Sequence, residues 1–119
     1  MAKISHPELF RFANFQPGLR KKVGNNREVM HVRCEHEDQI IGTLHGSAVF
    51  TMTRYKPGCL DGYLYLSACG YPTATTAAAI RDFMKAAGLS GGVSFAKGEE
   101  RYTFGDQTNS NGYFWLIEA

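Results

Sequence analysis

At 119 residues the chain has the size of one domain, because two independent cores would each fall into the ~40–60-residue range where burial becomes marginal. Hydrophobic residues at 44%, charged residues at 20% and aromatic residues at 13% exclude a disordered polar chain. Thirteen Lys and Arg against 11 Asp and Glu give a formal charge of +2, which is too balanced to argue for non-specific nucleic-acid binding or for an acidic mimic of DNA, and neither selects nor excludes a nucleic acid.

In chain order, Met1 to Glu8 carries no apolar run behind Lys3, and no window reaches the ~18 apolar residues of a membrane helix. A soluble intracellular protein without signal peptide or membrane contact is expected. Ser5 stands three residues before Glu8 in capping-box spacing and Pro7 suits a first helical turn, so the first fifteen residues predict a short helix with Leu9, Phe10, Phe12 and Phe15 on its surface. Gln16-Pro17-Gly18 stops it. The basic run Leu19-Arg20-Lys21-Lys22 then leads to the turn-forming Gly24-Asn25-Asn26, and reads as a solvated edge or an anion contact.

From Glu28 the pattern changes to period two, with Val29, His31, Arg33 and Glu35 on one face and Met30, Val32, Cys34 and His36 on the other, a strand with one largely apolar face. After the polar break Glu37-Asp38-Gln39, residues 40–44 and 47–55 are extended. In the second of these, Ala48, Phe50, Met52 and Arg54 alternate with Val49, Thr51, Thr53 and Tyr55, as in a central strand. Lys56-Pro57-Gly58 and Asp61-Gly62 are turn signals leading into a strand over 63–68, which predicts a hairpin.

Gly70-Tyr71-Pro72 breaks that strand, and residues 73–87 form the clearest helix, rich in alanine, with Thr73 or Thr75 as N-cap and Gly88 just past its end. Ala77, Ile80, Phe83, Met84 and Ala87 make one stripe for packing on a sheet, with Arg81, Asp82 and Lys85 facing out. Residues 92–98, 101–104 and 113–117 give three more strands, the last two separated by a polar, flexible loop over 105–112. The sum is a single α+β domain over residues 1–119, with an antiparallel sheet of about five or six strands, one long helix on a face and a short N-terminal helix beside it.

Catalytic and cofactor motifs are missing from this pattern. His31, Cys34 and His36, joined by Cys59, Cys69 or His45, offer zinc-type ligands. Yet only Cys34 and His36 share a strand face, and no Cys-x-x-Cys or His-x-x-x-His pair anchors a site, so no metal and no cofactor are expected. Cys69, just before the helix, is the candidate thiol nucleophile; packing is the plainer role for each cysteine. The threonines of Gly70 to Thr76 would present hydroxyls and free N–H groups to a phosphate or carboxylate, or simply cap the helix.

Tyrosine with arginine is the composition of protein interfaces and of base-stacking surfaces alike. Six tyrosines stand in or beside strands, together with Lys97 and two Arg-Tyr pairs. Arg54, Tyr55, Arg101 and Tyr102, with Tyr71, are therefore the expected binding residues.

The stretch from Tyr63 to Phe83, "YLYLSACGYPTATTAAAIRDF", with "FANFQPG" and "HGSAVFTMTRY" upstream, resembles a group of small bacteriophage-encoded proteins. These share an aromatic-Gly element, an apolar strand and a Tyr-Ser-x-Thr-Thr-x-x-His helix start in the same order. The likeness spans residues 12–87, with Pro72 in place of the serine and alanine in place of the histidine. It implies a phage or mobile-element origin, a bacterial cytoplasm as the setting, and no activity. Small phage proteins of this size are often inhibitors of bacterial immunity, such as anti-CRISPR proteins, and by that analogy the expected function is steric inhibition of a host defence complex, a CRISPR effector among them. The alternatives are a small nucleic-acid-binding module using Arg20, Lys21, Lys22 and the Arg-Tyr pairs, and a cysteine-dependent enzyme using Cys69. A sheet covered on one side also admits a homodimer through the other.

Overall fold

The alternating segments pair into one antiparallel sheet of six strands: β1 (Arg20–Gly24), β2 (Arg27–Arg33), β3 (Asp38–Leu44), β4 (Ser47–Arg54), β5 (Gly62–Leu66) and, closing the far edge, β9 (Tyr113–Leu116). A second antiparallel sheet holds β6 (Gly91–Ala96), β7 (Glu99–Phe104) and β8 (Gln107–Asn109), with α1 (Ala74–Ala86) between β5 and β6 in the chain. The computed structural model describes residues 4–55, 62–96 and 99–116. Its α+β class and central β4 match the sequence, but the strands divide into two sheets, and the helix has 13 residues. The loop expected over 105–112 contains β8, which pairs Tyr102 with Asn109 and Phe104 with Gln107.

The basic run is also a strand. β1 pairs Arg20 with Met30 and Lys22 with Glu28, and only Val23 of its side chains is buried, so an edge position hides the alternation. In β2 the buried residues are Arg27, Val29 and His31, while Met30 and Val32 stay half-exposed. Polar residues occupy the inward face because each finds a partner. Arg27 Nη1 donates to Asp82 Oδ2 at 2.7 Å, which also draws Asp82 inward from its expected outward position. Asp38, expected in a polar break, begins β3 and is fully buried.

Among the described residues 4–15 no α-helix forms. The chain makes two 3-10 turns, Pro7–Phe10 and Phe12–Asn14, and His6 at φ 55° stands where a capping serine was expected. Two hydrogen bonds explain this. His31 Nε2–H donates to the Leu9 carbonyl at 2.6 Å, taking the acceptor an α-turn would use, and the Ser5 N–H donates to the Val23 carbonyl at 2.9 Å. The Gln16 N–H donates to His31 Nδ1 at 2.9 Å, which fixes the ring with its proton on Nε2. The N-terminal segment thus becomes a strap held against the sheet.

Helix α1 begins as predicted. Thr73 Oγ1 accepts from the Thr76 N–H at 3.2 Å, and Gly88 lies beyond the C-terminal end at φ 78°. Its buried stripe is Thr76, Ala79, Ile80, Phe83 and Met84, rotated slightly from the expected Ala77 and Ala87. Phe83 lies on β3 at Gly42 and packs with Phe10 and Phe50 at ring-centroid distances of 5.2 and 6.0 Å. One core joins these residues to Leu64, Leu66, Phe114 and Tyr102.

The closeness at Gly42 generates a prediction. A Cβ there would lie 2.8 Å from Cδ2 of the Phe83 ring, in a core with no room to yield. Gly42→Ala is expected to lower unfolding free energy by about 2 kcal/mol in urea denaturation with an unchanged slope; an unaltered midpoint would refute the packing described.

Candidate functional site

Direct cross-strand partners share a sheet face, so register assigns every side chain to one side of the six-stranded sheet. One face carries the row His31, Ile40, Met52, Leu64 and Phe114 and is covered by α1 and the strap. The opposite face carries two rows. Arg20, Met30, Ile41, Thr51, Tyr65 and Tyr113 form one, and Val32, Gln39, Thr53, Tyr63 and Trp115 the other. Among the described residues no helix or strand lies over this second face. It is an open surface that is cationic at the β1 edge, aliphatic in the middle and aromatic at the β9 edge.

The aromatic end is a connected cluster. Tyr65 and Tyr113 stack at 4.3 Å with planes 24° apart, Tyr63 and Tyr113 are tilted at 6.3 Å, and Tyr55 and Tyr63 are tilted at 6.0 Å. Tyr113 is 54% and Trp115 65% exposed, far more than packing alone would leave for rings of this size. With half-exposed Met30, Val32 and Ile41 on the far side of Thr51, Gln39 and Thr53, they make a largely apolar face, the usual mark of an interaction site.

The five residues expected to bind are not brought together. Tyr55 lies on the open face and is exposed. Arg54 projects to the opposite face, where Nε and Nη2 donate to Asp38 Oδ2 at 2.9 and 2.8 Å and the guanidinium lies 4.7 Å over Phe12 and 5.4 Å over Phe15. Tyr71 is exposed in the segment before α1, and Arg101 is exposed on β7 of the second sheet. Tyr102 is a core residue, 2% exposed, whose hydroxyl accepts from the Ala68 N–H and donates to Glu100 Oε2, both at 3.0 Å. Burial foremost, with Glu100 adding to it, pushes its hydroxyl up to about 12. Lys97 lies outside the described residues.

Adjacent strand residues point to opposite faces, which is why the Arg-Tyr pairs divide. The same rule marks the residues missed. Tyr63-Leu64-Tyr65 and Tyr113-Phe114-Trp115 each place two aromatic rings on one side, and that spacing was the available signal.

The other chemical candidates are dispersed over the fold. His31 spends both ring nitrogens on the strap and stacks on Phe15 at 5.2 Å, and among the described residues no group of three His, Cys, Asp or Glu is arranged to hold a metal. Cys34 and Cys69 are exposed instead of packed in the core, and Cys59 lies outside the described residues. The Cys69 thiol donates to the Ala48 carbonyl at 3.1 Å. Of the three threonines Thr73 caps α1, its hydroxyl 3.1 Å from that of Thr76, while Thr75 and Thr76 lie in the first turn.

Beneath the strap, Asp38 joins two cations. Arg33 Nε donates to Oδ1 at 2.8 Å, and Arg54 holds Oδ2. The Arg33 hydrogen bond, aided by Arg54 and opposed by burial, keeps this carboxyl below the usual carboxylate range. Phe15 closes the assembly by stacking with His31 and lying under Arg33 at 5.2 Å.

Comparison of the chain with protein-family models, with curated proteins and with solved structures returned no match. None of the helices among the described residues is long and apolar enough to cross a membrane.

Two predictions follow from these placements. A carboxyl whose folded value is depressed stabilises fully above its ordinary 3.8 and loses that contribution as pH falls through the folded value. Denaturation measured across the acid range should therefore show a steeper fall in wild type than in Asp38→Asn; equal acid limbs would overturn the assigned pairing. Tyr102→Phe strands the buried Ala68 N–H and is expected to cost about 1–2 kcal/mol. The variant should also lose the phenolate absorbance step near 12, while a wild-type titration without such a step would contradict the burial.

Proposed function

We propose that the chain is a non-enzymatic binding protein that docks on a host protein complex through the open face of its six-stranded sheet and blocks that complex by covering it. The observation that carries this reading is the set Met30, Ile41, Tyr65, Tyr113, Tyr63 and Trp115, with Thr51 and Thr53 of β4 between its aliphatic and aromatic parts, on a face that no described element covers. Tyrosine and tryptophan are enriched where protein interfaces bury most energy, since each brings a large rigid apolar body with a polar tip. Resemblance to small phage proteins supplies the host side of the proposal, and a defence complex such as a CRISPR effector is the partner that analogy favours.

A nucleic acid is the second reading, favoured by Arg20 and Lys22 on the same face as the stacked rings. Distance weighs against it. Five strand spacings separate β1 from β9, on the order of 24 Å, and no described basic residue borders the aromatic cluster to neutralise phosphates beside stacked bases. Arg20 is also engaged, its Nη2 3.0 Å from Glu28 Oε1.

The test is capture of bacterial complexes by tagged protein, with identification by mass spectrometry and a nuclease-treated control. A defined protein complex that survives nuclease, binds at least about tenfold more weakly to the folded Ile41→Glu variant, and is unaffected by Tyr71→Ala is the expected result. Capture lost on nuclease treatment or with rising salt would replace the reading with nucleic-acid binding. A concentration-dependent dimer abolished by Ile41→Glu would assign the face to a second copy of the chain.

A further inference from the structure

The aromatic end of the open face is more than a flat patch. Tyr55, Tyr63, Tyr113, Phe114 and Trp115 line a recess of about 260 Å³ between β5, β9 and the end of β4. That is below the ~300–1,000 Å³ of sites that enclose a whole small molecule, and suits a single side-chain head group. Tyr63 is tilted 49° from both Tyr55 and Tyr113, so the rings stand as walls at an angle and not as a closed stack. Tyr65 covers one face of Tyr113 at 4.3 Å and is not part of the recess, which leaves the other face of Tyr113 for a guest.

Resting on the docking reading above, we infer that this recess is a cation-binding aromatic cage, and that the docked protein inserts an arginine or lysine head group into it. Charge complementarity selects such a guest. Tyr55, Tyr63, Tyr113 and Trp115 each offer a π system with a negative face, while the Phe114 ring is buried on the covered side; such a face attracts an ammonium or guanidinium within about 6 Å of a ring centroid. Among the described residues no cationic side chain lines the recess, and the cations described on this face stand at the opposite edge, at Arg20 and Lys22. The chain satisfies the same attraction internally elsewhere. On the covered face Arg54 lies 4.7 Å over Phe12 and Arg33 lies 5.2 Å over Phe15, whereas no described cation lies over the Tyr and Trp rings of the recess. A guanidinium or ammonium entering it would also find water at the rim for its remaining N–H groups, because Tyr113 and Trp115 are more than half exposed.

The experiment uses the purified full chain and needs no partner. The chain's one tryptophan lines the recess, so its fluorescence reports occupancy directly. Titrations with choline and with its neutral isostere 3,3-dimethyl-1-butanol separate a cage from an apolar hole of the same size, and N-acetylarginine amide and N-acetyllysine amide test the side-chain head groups. Saturable binding of choline and at least one of the amides, at least about fivefold tighter for choline than for the neutral isostere, is expected. Tyr63→Leu, which keeps bulk and removes a π wall, should reduce that preference to within twofold, and Tyr71→Leu should leave it intact. Should Tyr63→Leu fail to fold, Trp115→Leu, read by broadening of the choline methyl resonance, serves the same purpose. Equal affinity for the neutral isostere, or no saturation by any cation, would overturn the cage.

These outcomes are separable from failure of the docking reading. Cation binding without capture of any complex would leave the cage and remove the docking proposal. Capture that excess choline does not weaken, with no cation preference in the titration, would leave docking and remove the cage.

Discussion

A six-stranded sheet has two faces, and this chain places all its described covering elements on one of them. Helix α1, the strap over residues 7–19 and the second sheet meet in one core with Phe50, Leu64 and Phe114. The decisive contact is the His31 side chain. By accepting from the Gln16 N–H and donating to the Leu9 carbonyl, one imidazole replaces the hydrogen bonds of an N-terminal helix and lays that segment across the sheet. Burying a ring with both nitrogens satisfied avoids the penalty of an unpaired polar group. It also commits the strap's phenylalanines to the covered side.

The two faces then separate the aromatic residues by chemistry. Phe10, Phe50 and Phe83 are fully buried, Phe114 nearly so, and Phe12 and Phe15 pack against the core under Arg54 and Arg33. Tyr55, Tyr63, Tyr65, Tyr113 and Trp115, whose rings carry polar tips, stand on the open side. Water tolerates that arrangement in the free protein, and a partner that displaces the water gains the burial of five large rings. An open face of this composition therefore links the fold to the proposed docking.

The covered face shows how polar residues come to occupy a core. Asp38 sits between Arg33 and Arg54, and Arg27 reaches Asp82 of α1, so each buried charge meets an opposite one within 2.9 Å. Nothing in the local sequence announces these partners. Arg27 and Asp82 are 55 positions apart, and Arg54 lies 16 from Asp38. Polar residues at inward positions of β2 and β3 consequently read as a solvated face or a break.

The amino-acid sequence by itself determined the α+β class, the strands with strong alternation, the capped start and glycine-marked end of α1, and the tyrosine-rich composition of the strands. Those features depend on neighbours within a few residues, through turn chemistry, capping and side-chain period. Tertiary structure decided which face is open, because that depends on where His31 pulls the strap and where α1 finds Gly42. It also decided which aromatics act together. Register between β4, β5 and β9 gathers Tyr55, Tyr63, Tyr113 and Trp115 from across the chain, while strand parity turns Arg54 away from Tyr55 and hydrogen bonding to Ala68 and Glu100 holds Tyr102 in the core.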